Sequence, residues 1–459
     1  MNKTNKQTMQ DEGSDVGTGV CHNLHSVGSV KSVTQAPGDL FDNENGEVDF
    51  RGVSWQGAAI LVTKLQLDLG FSVFPPLSTS CASFPVSFVS SSWPSSAPIG
   101  DAAELLFGKA AREIVGLIYY IYVALVAGAG MLTVSVSLNA LSNHATCTMV
   151  FLNVACVISL GVGTGFKSLE KVSWISWVAA APSNLPVDLD IRVFPKTTFS
   201  KAMAAIANQL FAVGGSGIFF TISAEMKHPH LFTRSLLYGQ TFIILTNIAI
   251  SSIVYAKVGQ YIASPALGSA GPLIKKIAYG VALPGLLVTA VLYSHTAAKY
   301  LFVRILRGTR HLQSNTMLHW AVWIGSMTVT VVFGFIIVGV VPFFDDFLGL
   351  VGALFNPVFT NIIPGFMLLF FIGRKPVKVL EGSLSSNMDN STSANHWSVD
   401  AFRAAKCGWK NAIAFAFAWF MIITGGLIIV GGTYATTLGI KNAYREGEIS
   451  GVFSCGDNS

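Results

Sequence analysis

The feature that most constrains this chain is a succession of apolar runs separated by short polar loops. A helix needs about 20 mostly apolar residues to cross the hydrocarbon core of a bilayer. Nine runs meet that length, at 54–74, 111–138, 145–164, 199–224, 233–256, 273–298, 317–341, 346–372 and 409–433. Only 12% of the 459 residues are charged, half of the roughly 25% that a soluble domain carries. Mean hydropathy is +0.55. The chain therefore reads as an all-α polytopic membrane protein, which excludes a disordered chain, a secreted disulfide scaffold and a soluble enzyme. The net charge of +5 is scattered through the loops, so no nucleic-acid partner is expected. Six cysteines without Cys-x-x-Cys spacing argue against a metal or redox framework, and no cofactor is expected.

Loop charge sets the orientation. Lys167 and Lys171, Lys227 and Arg234, Lys299 with Arg304, Arg307 and Arg310, and the group from Arg374 to Lys410 alternate with loops poor in Lys and Arg. By the positive-inside rule the basic loops are cytoplasmic. Residues 1–50, with eight acidic residues against three lysines and no signal-peptide pattern, form an expected disordered cytoplasmic tail. The transporter-like membrane domain is expected over 51–435, and 436–459 as an extracellular tail. Parity requires a further crossing between Lys167 and Phe199, where Val172–Pro182 is half the needed length. A second weak stretch, 77–98, holds nine Ser and three Pro, a poor helix by propensity and proline chemistry. With both counted the total is nominally 11, helix 2 being degenerate and helix 5 truncated.

Two spans are interrupted by Gly or Pro near mid-membrane, the sequence pointer to a transporter site. The first reads Asp68-Leu69-Gly70-Phe71 and runs on to Pro75 and Pro76; the second reads Phe211-Ala212-Val213-Gly214-Gly215-Ser216-Gly217. Unwound backbone at such a break frees N–H groups and half-helix dipoles that hold a carboxylate. On an 11-span count the breaks fall in helices one and six, corresponding positions of two inverted five-helix repeats. Glycines that merely let helices pack closely are the competing reading. Lys64 and Asp68 share a helix face four residues apart and can pair. Each would cost about 2.5–3.5 kcal/mol at membrane depth, which marks both as functional candidates beside a self-neutralising structural pair. Gly161 to Lys167 resembles a phosphate loop but has Phe166 where a glycine is required, so it carries no nucleotide chemistry.

The run from Gly259 to Gly285 reads Gly-Gln-Tyr-Ile-Ala-Ser-Pro-Ala-Leu-Gly-Ser-Ala-Gly-Pro-Leu-Ile-Lys-Lys-Ile-Ala-Tyr-Gly-Val-Ala-Leu-Pro-Gly. Together with Ala298–Thr316, the ending Phe453–Ser459 and the short segments Leu138–Ser142, His144–Thr148 and Ser223–Met226, it resembles the fungal neutral amino acid permeases of the amino acid/auxin permease (amino acid transporter transmembrane) family. The resemblance covers about residues 50 to 459. It implies 11 helices in the inverted-repeat transporter fold and proton-coupled uptake of neutral amino acids, with small-molecule amino acid, protons and membrane lipid as partners. The plasma membrane is implied, with the vacuolar membrane as alternative. Asp68 stands where the family has a small residue, and Gly217 where proline is common.

The expected substrate-binding set is Asp68, Leu69, Gly70, Phe71, Val213, Gly214, Gly215, Ser216 and Gly217, with Phe71 and Phe211 shaping a side-chain pocket. Proton-coupling candidates are Lys64, Asp68 and Glu225, the last near the inner end within reach of basic loop residues. Cys147 and Cys455 both fall on the outer face, where an oxidising compartment allows a disulfide between them. The alternative function is a non-transporting paralogue, either a nutrient sensor or a defective, mis-spliced gene product. No clustered nucleophile or metal set points to an enzyme.

Overall fold

The computed structural model describes residues 53–70, 99–165, 198–213, 216–228, 231–258, 272–312, 314–340, 344–373, 397–406, 408–446, 453 and 455. The weak stretches 77–98 and 172–182 and the tail 1–50 lie outside these. Among the described residues regular structure is helical, apart from one isolated bridge between Val53 and Met226. The helices are α1 (Trp55–Gly70), α2 (Ile99–Phe107), α3 (Lys109–Ser142), α4 (Thr148–Gly165), α5 (Phe199–Val213), α6 (Ser216–Glu225), α7 (Phe232–Val258), α8 (Pro272–Leu306), α9 (Met317–Val340), α10 (Phe344–Leu354), α11 (Ile363–Gly373), α12 (Trp397–Ala405) and α13 (Trp409–Glu446). Among the described residues, five stretches are long and apolar enough to cross a membrane: Lys109–Ser142, Lys275–Leu306, Met317–Val340, Phe347–Gly373 and Trp409–Asn442. The shorter apolar helix Thr148–Thr164 lies at the expected third span.

Helices α3, α4, α8 and α9 pack on one another, with α3 against α8 the most extensive contact. Helix α1 packs mainly on α7 and also touches α5, α6 and α8, while α5, α10 and α13 form a third group. Lipid tails supply no hydrophobic drive between helices, so close backbone approach must do the work. At Gly130 an added Cβ would sit 2.9 Å from the Ala290 Cα, so α3 and α8 meet there backbone to backbone. Two residues earlier, on the far side of α3, a Cβ added at Gly128 would sit 3.3 Å from the Gly334 carbonyl of α9.

Three helix boundaries differ from the hydropathy reading. The last helix continues past residue 435 to Glu446, its polar turn satisfied internally: the Thr436 hydroxyl donates to the Gly432 carbonyl at 3.0 Å. Helix α8 extends to Leu306, so Lys299, expected in a cytoplasmic loop, is helical and buried. The eighth expected span, 346–372, is not one regular helix. Leu354 ends α10 and a π turn, Val358–Ile362, precedes α11. Pro357 stands at that junction, where its missing N–H cannot continue an α-helical ladder.

Each end of the molecule is fastened. At one end, expected from loop charge to face outward, Cys147 and Cys455 form a disulfide that closes a 308-residue separation. The Phe453 amide donates to the Gly339 carbonyl at 2.9 Å, and its ring covers Gly339 at the end of α9. Asn143 caps α3 in the left-handed region (φ 54), and the Asn139 amide clamps the corner to α4 by donating to the Thr148 hydroxyl at 2.8 Å. At the opposite end, expected to face inward, Arg112–Glu104 (2.6 Å), Arg307–Asp101 (3.0 Å) and Arg304–Glu113 tie α2, α3 and α8 together. Trp397 of α12 donates its indole N–H to the Leu106 carbonyl at 3.2 Å, bracing α2.

Gly130→Leu is expected to destabilise the protein by at least about 1–3 kcal/mol, because the extra carbons meet backbone that cannot move aside. Gly161→Leu, where an added Cβ meets nothing within 4 Å, should be close to neutral. Thermal unfolding of the two detergent-purified variants checks the difference.

Candidate functional site

Helix α5 ends at Val213 and α6 begins at Ser216, with Gly214 and Gly215 outside the described residues. The last four carbonyls of a helix have no intrahelical donor. At membrane depth no bulk water supplies one, so protein must. Asn356, buried at the head of the π turn, does so: its side-chain amide donates to the Leu210 carbonyl of α5. Its Oδ1 accepts from the Tyr122 hydroxyl of α3 at 3.1 Å. Its own carbonyl accepts from the Thr360 hydroxyl at 2.8 Å. The end of α5 and the π turn therefore brace each other through one side chain.

The first turn of α6 packs on aromatic rings. A Cβ added at Gly217 would lie 3.1 Å from Tyr119 Cε2 and 3.7 Å from the Phe359 Cβ. Phe359 in turn stands 5.6 Å from the Tyr119 ring and 5.3 Å from the Tyr122 ring. Phe211, two residues before the end of α5, is buried against Gly352 of α10, where an added Cβ would lie 2.9 Å from its own. Gly217, Thr221 and Glu225 recur every four residues and so share one face of α6. On that face Tyr119 and Thr221 hydroxyls lie 3.4 Å apart. Glu225, the last residue of α6, accepts from the Lys299 ammonium of α8 at 2.8 Å, with both side chains under a tenth exposed (4% and 7%).

Helix α1 enters at the same inner end. The Val53 amide donates to the Glu225 carbonyl at 3.1 Å, and the Lys227 amide donates to the Val53 carbonyl at 3.0 Å. The start of α1 thus lies beside the end of α6. From that shared point α6 rises about 15 Å to Ser216, and α1 about 20 Å to Asp68, at about 1.5 Å per residue.

Lys64, Asp68, Leu69 and Gly70 form the last two turns of α1, whose helix includes Gly70. Val213 and Ser216 flank the junction, Gly217 lies on α6, and Phe71, Gly214 and Gly215 fall outside the described residues. Sequence reasoning missed Tyr119, Tyr122, Asn356 and Phe359, which surround the junction, and Lys299. The signals were present: two tyrosines three apart in an apolar span, and an Asn-Pro step inside another.

The sequence profile of a family described as transmembrane amino acid transporter protein matches residues 88–381. That match begins beyond α1 and takes in the α5–α6 junction, the π turn and the Glu225–Lys299 pair. A transmembrane transporter of Gibberella moniliformis is 29% identical over 462 aligned residues, covering 92% of this chain and 91% of its own. A transmembrane transporter of Fusarium pseudograminearum is 27% identical and covers 94% of each chain. An N amino acid transport system protein of Neurospora crassa is 26% identical over 79% of this chain and 76% of its own. With its family match spanning more than half its length and its long apolar helices, this chain is an integral multi-pass membrane protein that belongs to the transmembrane amino acid transporter family.

Proposed function

We propose that this chain is a secondary active transporter in which protons drive uptake of neutral amino acids, aliphatic or aromatic, across the plasma membrane, on the 11-helix inverted-repeat plan. The observation that carries the reading is the interrupted helix α5–α6, braced by Asn356 and lined by Tyr119, Tyr122 and Phe359. The α-carboxylate is taken by free N–H groups at the start of α6, Ser216 and Gly217, where the helix dipole is positive. The α-amino group is taken by backbone carbonyls at the end of α5, around Val213. The end of α1, Asp68 to Phe71, closes the site from the other side, with Lys64 neutralising Asp68. Aromatic and aliphatic neighbours suit a side chain without charge, because a charged one would be desolvated there without a partner. The cargo of the Neurospora crassa relative is an amino acid by its name, which supports this choice. Proton coupling falls to Lys64, Asp68 or Glu225, ionisable groups at membrane depth.

Uptake of a labelled mixture of neutral amino acids into cells expressing the chain tests this reading. Transport should be several-fold faster at about pH 5 than at about pH 7.5 and should collapse with a protonophore. Absence of uptake despite surface expression would instead mark a non-transporting relative. Asn356→Ala removes the donor to the Leu210 carbonyl and one acceptor of the Tyr122 hydroxyl, at a cost of about 1–3 kcal/mol. It should therefore raise the half-saturating substrate concentration about tenfold, at about 1.4 kcal/mol per decade, in the same assay.

A further inference from the structure

Two opposite charges are buried together where α6 meets α8, at the inner end of the proposed pathway. Replacing such a pair by apolar side chains of similar size is often neutral or stabilising, so fold stability alone does not call for it. Its setting makes it more demanding still. Glu225 is the last residue of α6, where the negative end of the helix dipole disfavours a carboxylate. The carboxylate is held there by the Lys299 ammonium at 2.8 Å.

The surroundings supply both a route and a load. Gly217, Thr221 and Glu225 share one face of α6, spanning about 12 Å from the interrupted helix to the pair. Tyr119 of α3 contributes a hydroxyl 3.4 Å from that of Thr221, partway down this face. On α8, His295 lies one turn before Lys299, buried and edge-on to Trp323 of α9 at 5.0 Å, and Tyr300 directly follows Lys299. On α9, His319 packs against Phe302. The described side chains of α1, residues 53 to 63, carry no ionisable group, and the π turn brings Phe359, Thr360 and Asn361. Beyond α6, Lys227 and His228 are exposed, as is Arg234 of α7. The pairs Arg112–Glu104, Arg304–Glu113 and Arg307–Asp101 form a separate cluster toward the inner surface.

We propose that Glu225 and Lys299 form a proton-operated latch that ties the interrupted helix to α8 and couples its release to proton uptake. The assignment rests on the transport reading above and selects Glu225, with Lys299 as a partner that the sequence did not suggest, among its proton-coupling candidates. With Glu225 ionised the pair holds α6 against α8, and the Val53 backbone bonds hold the start of α1 in the same knot. A proton arriving from the outside along the Tyr119–Thr221 face converts the carboxylate to the acid, while Lys299 keeps its ammonium. The attraction is lost, α6 and the start of α1 part from α8, and the substrate is released inward. The proton then leaves to the cytoplasm, the carboxylate re-forms and the latch closes, one proton having crossed per cycle.

The test compares net uptake at several external pH values with substrate counterflow, which needs no net proton movement, in cells expressing the full chain. Glu225→Gln should lose the pH dependence of uptake, with an acid-to-neutral ratio near unity, while counterflow persists. The double variant Glu225→Gln with Lys299→Met removes both charges and leaves no buried ion unpaired, and it should behave likewise. A Glu225→Gln protein that keeps the parent's acid-to-neutral ratio overturns the latch and leaves the transport reading intact. So does a double variant that is absent from the surface or inactive in counterflow as well, since that assigns the pair to structure. A parent chain that shows neither uptake nor counterflow overturns the transport reading, and this assignment with it.

Discussion

Backbone that leaves a helix inside the hydrocarbon layer must find its hydrogen-bond partners in the protein, and the arrangement of this chain follows from that constraint. Helix α5 stops at Val213, within the membrane domain, and the orphaned Leu210 carbonyl is met by a side chain from a second irregular helix. Asn356 can reach it because Pro357 and the π turn displace the chain from a regular α-helical course. Tyr122 then completes the asparagine's own valence from α3. Each irregularity is tolerable because the other exists. In the proposed function, the N–H groups at the start of α6 are the ones offered to a small zwitterion.

Fixed and loose ends frame that junction. At one end, the Cys147–Cys455 disulfide and the Phe453 cover on Gly339 pin residues 453 and 455 beside the start of α4 and the end of α9. In the centre, Gly130 and Gly128 let α3 lie directly on α8 and α9, forming a group of helices with no slack between them. At the opposite end the polar contacts of α6 to that group are one ion pair to α8 and one long hydroxyl contact to α3, while two backbone bonds tie its end to Val53 at the start of α1. Packed backbone is difficult to separate, whereas an ion pair is undone by one proton. The place of movement in the proposed cycle is therefore read from the kind of contact, with α6 and the start of α1 as the moving parts.

Much of this was legible in the sequence, and the omissions have physical causes. Five long spans are plain from length and hydropathy alone, and family membership agrees with the segments from Gly259 to Thr316 that carried the resemblance. Glu225 stood out because an acidic residue closes an apolar run. Lys299 did not, because Arg304, Arg307 and Arg310 follow it and the whole set reads as one basic loop. Continuation of the helix to Leu306 turns Lys299 inward while the arginines reach the inner surface, a distinction that charge counting cannot make. Asn356 was passed over for a different reason. A single asparagine in an apolar stretch gains meaning only when its partner, the broken end of α5, lies some 146 residues away in the chain and is brought beside it by packing.

The central claim is that the α5–α6 junction holds the amino acid. Its most direct test is substrate protection at Ser216, in protein where Cys21, Cys81, Cys156 and Cys407 are replaced by serine and the Cys147–Cys455 disulfide is kept. Ser216→Cys should react with a small thiol reagent, and leucine or phenylalanine should slow that reaction in a saturable manner while glutamate should not. Equal labelling rates with and without neutral amino acids, in protein that still transports them, would place the substrate elsewhere and contradict the claim.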